Sequence, residues 1–429
     1  MTALFDVAII GGGPAGTAAA LTLNKRSDVR VAVFERSHLD TPKVGESLSP
    51  GARALLHYLG VWDRFEREHK LSLLGSEAAW GSDSLGAMDF ILTLHGAGWV
   101  LDRERFEMML AEEAERGGAK VHTGTAVSAC RFDGSLWHLD LGGQTVAARY
   151  VIDAAGRTSP FSVAAGMRRQ RNDALTALTA RLPRAPQQAQ MTRVEAEEDG
   201  WWYAAPLPSG ELITCFFSDA ERIHAGRLSD PAIWSARLKQ TRHIWPLVAG
   251  MVDETLTLEA LPAFSSLLQG GDPAQPIIAA GDAIAARDPL SSSGIPNALG
   301  SGIQAARVAA DALFGQGALK PAYLASIAAD HSAFLKTHWK TYRTETRWPD
   351  APFWKFRAAQ VTRGPDTPVV AKPDATTSIF VPRPVSKWLI EAAQLVAPQA
   401  DLVIKARHLF PEIPDERLIL AIEELTHVA

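Results

Sequence analysis

Cysteine is nearly absent: Cys130 and Cys215 are the only two in 429 residues, and they lie far apart. That excludes a disulfide framework and a cysteine-rich metal cluster, so no metal site is expected and a reducing, cytoplasmic setting fits. An excess of basic charge is also missing, with Lys+Arg at 43 against Asp+Glu at 48 and no basic run. Nucleic acid and anionic membranes are therefore poor partners. No apolar stretch reaches the roughly 18 residues of a membrane span. Near the N-terminus, Gly11-Gly12-Gly13-Pro14 breaks the apolar run, and Asp6 stands where a targeting segment would carry positive charge. Internal repeats and low-complexity tracts are lacking too.

What is present is a chain that is 47% hydrophobic, long enough for about two or three domains of roughly 150 residues each. Residues 5–10 read as a buried strand, 11–16 as a tight turn, 17–24 as a helix and 29–34 as a second strand, which makes a βαβ unit. Residues 101–116 are patterned as an amphipathic helix. Short strands are expected at 119–122, 136–141, 151–154 and 276–280. Between about 171 and 265 the texture becomes alternating and aromatic, most clearly at 200–206 and 212–217, as in an antiparallel sheet. Helices are expected at 303–313, 323–339, 385–395 and 415–425, with an exposed Pro-rich linker at 363–383.

Gly11-Gly12-Gly13-Pro14-Ala15-Gly16 follows a strand and opens a helix. In that context Gly11 serves the turn, Gly13 admits a pyrophosphate to the backbone, and Gly16 brings helix and strand together. The helix N-terminus offers free N–H groups to the phosphates. Glu35 ends the second strand, where a carboxylate can accept from a ribose diol. A dinucleotide site follows.

Far downstream, Ala279-Ala280-Gly281-Asp282-Ala283 and Asp288-Pro289-Leu290-Ser291-Ser292-Ser293-Gly294-Ile295 resemble the second flavin fingerprint of glutathione-reductase-type FAD enzymes, in particular the aromatic-hydroxylase-like monooxygenases. Asp102-Arg103-x-x-Phe106 and Gly45-Glu46-Ser47-Leu48-Ser49-Pro50 strengthen the likeness, and the second motif resembles the flavin-dependent halogenase branch. So does the stretch from Tyr342 to Trp354. The resemblance implies a mixed α/β fold: a Rossmann FAD-binding domain from residues 1–75, 98–170 and 270–330, an inserted antiparallel-sheet substrate domain from 76–97 and 171–269, and a helical region at 331–429 with its linker near 363–384. It also implies FAD contacts from Gly11, Gly13, Pro14, Ala15, Gly16, Glu35, Arg36, Ser47, Arg103, Val127, Asp282, Gly294 and Ile295. Asp282 would hold the ribityl chain, and the Gly294 and Ile295 amides would face the flavin's pyrimidine edge.

Halogenases of this branch carry W-x-W-x-I-P, a lysine that intercepts hypohalous acid, and a glutamate before the flavin turn. Here the strand reads Trp201-Trp202-Tyr203-Ala204-Ala205-Pro206, Ser291 replaces the glutamate, and residues 75–79 hold no lysine. This form resembles the flavoproteins that build tryptophylquinone cofactors, such as the one in quinohemoprotein amine dehydrogenase. The resemblance implies hydroxylation of a tryptophan in a small partner polypeptide through a flavin C4a-hydroperoxide, with O2 as co-substrate and Trp201, Trp202, Tyr203 and Pro206 at the substrate. A hydroxylase or halogenase of a small or carrier-bound aromatic is the alternative. Glu46, with the Gly294 and Ile295 amides, is the expected catalytic group, although Glu46 could equally cap a helix. NADH or NADPH would supply electrons, directly or through a flavin reductase, because Asp153-Ala154-Ala155-Gly156-Arg157 departs from the D-G element of aromatic hydroxylases. Phe380, Trp388 and Leu389 are candidates for a docking surface.

Overall fold

The computed structural model describes residues 3–68, 71–90, 96–183, 190–249, 256–359, 368–372, 376–378, 381–394, 396–413, 418–419, 421–422 and 425–428. They form two compact units, one from Met1–His331 with Thr344–Trp354, the other from Ser332–Arg343 with Lys355–Ala429.

The first unit is built on a seven-stranded sheet. Leu4–Ile10 pairs in parallel with Val31–Phe34 on one side and with Thr145–Asp153 on the other, and Lys120–His122 and Ile277–Ala279 extend the parallel set. Val7 and Ile9 point into one apolar layer, Ala8 and Ile10 into the other. Burial on both faces is why these strands are unbroken apolar runs. Thr145–Asp153 extends well beyond the short strand expected at 151–154, since its first half pairs antiparallel with Trp137–Asp140 and its last three residues pair with Ile277–Ala279. Ala129–Phe132, an outer strand with little apolar patterning, adds to that antiparallel edge.

A second seven-stranded sheet runs Glu259–Pro262, Leu175–Pro183, Glu211–Asp219, Gly200–Pro206, Met191–Glu197, Gly75–Ala79, Gly86–Asp89. It is not wholly antiparallel as expected: Met191–Glu197 runs parallel to Gly75–Ala79. The physical reason is the long excursion of chain between them, which passes through the first sheet and can return in either direction. Helices Ala220–Ala225, Pro231–Leu238 and Trp245–Val248 follow the strand Glu211–Asp219 and cover one face of the sheet, packing Ile223, Trp234 and Val248 against Leu178, Trp202 and Phe216.

Helix Gly294–Phe314 starts before the expected 303, and helix Leu319–Arg343 outruns 323–339 at both ends. The second unit has its own core, including Leu389, Leu402, Ala406 and Ile422. Two expectations there need correcting. The 363–383 stretch is not all linker, because Pro368–Ala371 is a strand paired with Ala397–Pro398 and Thr426–Val428. Leu389 is fully buried, so it is a core residue and offers no docking surface, while Trp388 packs edge-on to Phe410. Phe380 and part of the expected 415–425 helix lie outside the described residues. An unforeseen helix, Gln399–Leu409, supplies Leu402, Val403 and Ala406 to this core. Among the described residues no helix is long and apolar enough to cross a membrane.

Candidate active site

The turn after the first strand is held by contacts that only glycine permits. Gly11 has φ of 108°, and a Cβ there would lie 2.3 Å from the Ala154 carbonyl oxygen. A Cβ on Gly16 would come within 1.9 Å of the Gly11 oxygen. Gly13 differs: its Cβ would meet nothing within 4 Å, and it caps helix Pro14–Leu23 without any side-chain hydrogen bond. Its first-turn amides are left for an outside acceptor. Glu35 secures the turn, accepting from the Gly12 amide at 2.7 Å through one oxygen and from the Ser37 amide and hydroxyl through the other. Burial alone would raise its pKa, but the Ser37 and Gly12 amides outweigh that and hold the carboxyl below its ordinary range. Next to it Arg36 is exposed; Val127 is half-buried against the sheet's core.

The two halves of the fingerprint meet at Ala15. A Cβ on Gly281 would lie 2.7 Å from the Ala15 methyl, and one on Gly302 would lie 2.2 Å from the Ala15 carbonyl oxygen. Asp282 is one-third exposed and is held at 3.1 Å by Arg157 Nε. Arg157 also donates to the Phe264 and Arg287 carbonyls. Arg157 and Gly302 are candidate site residues that sequence reasoning does not single out. Arg157 stands at the end of the stretch that departs from the D-G element at Ala154, and Gly302 shows its purpose only once the helices are packed. Helix Gly294–Phe314 begins with Ser293 making no cap, with open space where a Gly294 Cβ would stand and with Ile295 buried. Two uncapped helix N-termini, two open glycines and the carboxylates Glu35 and Asp282 form a donor and acceptor set that fits an anionic flavin dinucleotide.

The sheet that carries Trp201 to Pro206 is joined to this cradle through Glu46, which is 3% exposed. Tyr203 donates its hydroxyl to one Glu46 oxygen at 2.7 Å, and the Gly45 amide donates to the other at 2.9 Å. Burial, and then the neighbouring Glu46 charge, keep the Tyr203 hydroxyl well above the ordinary phenol range, so it remains a donor. The Glu46 loop is fixed by Arg103, which donates to the Val44 carbonyl at 2.6 Å and pairs with buried Glu107, itself paired with Lys43 at 2.5 Å. Arg103 Nε is buried and finds no hydrogen-bond partner among the described residues. Ser47 pairs with Val100 in a short strand.

Of the Trp201 to Pro206 strand, alternate residues part company. Trp201 shares the face of Tyr203 and stacks on Phe217 at 3.9 Å. Trp202 points the other way, fully buried against Trp234 and donating to Glu197 at 3.0 Å. It belongs to the core between the sheet and its covering helices, on the face away from Tyr203. Pro206 ends the strand opposite Leu212, buried.

Comparison with known proteins agrees with this cradle. Residues 5–237 match the FAD binding domain family. A protein of Marinomonas mediterranea named as an FAD-dependent oxidoreductase, LodB, is 31% identical over 368 residues, covering 83% of this chain and 97% of its own. The chain belongs to this family of FAD-dependent oxidoreductases, enzymes of the flavin monooxygenase and halogenase type. Among solved structures, the myxobacterial chondrochloren halogenase CndH is similar with TM-score 0.74 at 22% identity, covering 83% of this chain and 86% of that one. QhpG, a peptidyl tryptophan dihydroxylase essential for tryptophylquinone cofactor biogenesis, is similar with TM-score 0.68 at 21% identity, covering 96% of this chain and 99% of its own.

Proposed function

We propose that this enzyme hydroxylates a tryptophan side chain in a small partner polypeptide, in the making of a tryptophylquinone cofactor. One observation carries the reading: the groups that halogen chemistry needs are replaced by groups occupied otherwise. Ser291 stands in the flavin turn, bonded to the Ser293 hydroxyl, and the strand Gly75–Ala79 offers Glu77, paired with Arg193, in place of a lysine. The likeness to the peptidyl tryptophan dihydroxylase extends over nearly the whole chain and supports the same reading.

Bound FAD would supply the activation of O2, with NADH or NADPH as the electron source, directly or through a flavin reductase. The chain's own residues orient and exclude. Glu35 and Asp282 hold the cofactor's sugar portions, and the amides at Gly294 and Ile295 offer donors where negative charge develops. The Glu46–Tyr203 bond fixes the sheet to the flavin loop, and buried Trp201, on the same face of the strand as Tyr203, backs that junction with a dry aromatic layer.

The test is the intact mass of the tryptophan-bearing polypeptide after incubation with this enzyme, FAD, NADH, a flavin reductase, O2 and bromide. A gain of about 16 or 32 Da, one or two oxygen atoms, is the expected result. A bromine isotope pair would make the enzyme a halogenase instead, the reading favoured by the likeness to the chondrochloren halogenase. An unchanged polypeptide would overturn the proposal in favour of a small or carrier-bound aromatic.

A further inference from the structure

Trp201 is the first of four indoles in line. Its ring centroid lies 6.4 Å from that of Trp80, Trp80 lies 5.2 Å from Trp354, and Trp354 lies 6.2 Å from Trp348. Trp201 and Trp354 are buried, at 1% and 2% exposure, whereas Trp348 stands in the wall of an open cavity of about 560 Å³ that also presents Asp83, Glu195, Glu197 and Glu198. At the inner end, Trp201 shares the face of Tyr203, whose hydroxyl sits on Glu46 of the flavin loop. The series therefore runs from the sheet face that carries Tyr203 and Glu46 to solvent. Packing alone would be met by aliphatic residues, but indole is among the most easily oxidised side chains, and rings this close exchange single electrons readily. Arg347 covers the Trp348 ring at 4.4 Å, which would oppose a positive charge there. Its own charge is offset by Glu345 and Asp83, both paired with it.

We propose that Trp201, Trp80, Trp354 and Trp348 form a relay that carries a one-electron oxidising equivalent out of the flavin chamber to a soluble reductant at the cavity. The inference rests on the flavin site described above. In each step one indole loses an electron to the oxidised indole before it. At the end Trp348 is left one electron short and releases its ring N–H proton to a cavity carboxylate or water. A thiol or ascorbate then returns one electron, a proton goes back to the ring, and the chain is restored. The oxidant is bound oxidised FAD excited by blue light, which takes one electron from Trp201 and is itself reduced by one electron.

The experiment is flash photolysis of the FAD-loaded enzyme with blue light, following tryptophan-radical absorbance, and then steady illumination with ascorbate. In the parent enzyme a long-lived radical and accumulation of reduced flavin are expected. Trp80→Phe interrupts the line, so the long-lived radical and the ascorbate-dependent reduction are both lost. Trp348→Phe strands the charge on buried Trp354 and loses the ascorbate dependence. Trp388→Phe, in the second unit, leaves all signals unchanged. Flavin absorbance and near-ultraviolet dichroism of each variant establish that it is folded and loaded. If Trp80→Phe binds FAD normally and keeps the full radical lifetime, the relay is wrong. If the parent enzyme binds no FAD, it is the flavin reading itself that fails.

Discussion

Single residues in this site carry charges that are paired by design of the backbone. Glu35 is a carboxylate whose folded pKa lies below its ordinary value of about 4.3, so its contribution to stability is complete above that pH and is lost as pH falls through the lower folded value. Glu35→Gln should flatten the acid limb of a stability-against-pH profile, read by thermal melts in a pH series, and should weaken FAD binding. Tyr203→Phe removes the hydroxyl from a buried carboxylate and should cost about 1–3 kcal/mol. Combining it with Glu46→Gln, which takes away the stranded charge, should recover much of that loss; a double variant as unstable as the sum of the singles would show the bond to be idle. Trp202→Ala should cost about 3–5 kcal/mol in a denaturant melt, because this ring fills the layer around Trp234.

Elements explain what sequence could and could not disclose. The βαβ unit and the Gly11–Gly16 turn were legible because local chemistry dictates them: apolar runs for strands buried on both faces, glycine where the backbone has φ near 108°. The strand Gly200–Pro206 was legible at both ends for the same reason. Which of its tryptophans meets the chamber was not, since alternation says that neighbours part but not which side faces the flavin. Ala129–Phe132 and the parallel pairing of Met191–Glu197 depend on partners distant in the chain. The same holds for Gly302, ordinary in a helix until the Ala15 carbonyl is seen against it. Gly302→Ala should therefore destabilise the apoprotein by about 1–3 kcal/mol. Gly300→Ala, in the same helix with nothing within 4 Å of the added methyl, should be neutral or gain up to about 1 kcal/mol. Equal melting temperatures for the two variants would remove the close helix packing as the explanation.

At the scale of the whole molecule, the residues that fit FAD run from Gly11 to Gly302, so a bound cofactor would join segments of the first unit that are far apart in the chain. A ligand that binds only the folded state stabilises it by mass action, about 2.7 kcal/mol at a free concentration a hundred times its dissociation constant. FAD should accordingly raise the melting temperature in a concentration-dependent way. Gly13→Ala separates this effect from folding itself. Its backbone is in an ordinary extended conformation at φ of -71°, and the added methyl touches no atom of the described residues within 4 Å. The apoprotein of this variant should melt with the parent, while its FAD-dependent rise should shrink, because the methyl occupies the space through which a pyrophosphate reaches the helix amides. An undiminished FAD shift in Gly13→Ala would mean that the phosphates sit elsewhere, and the assignment of the N-terminal turn as their cradle would have to be given up.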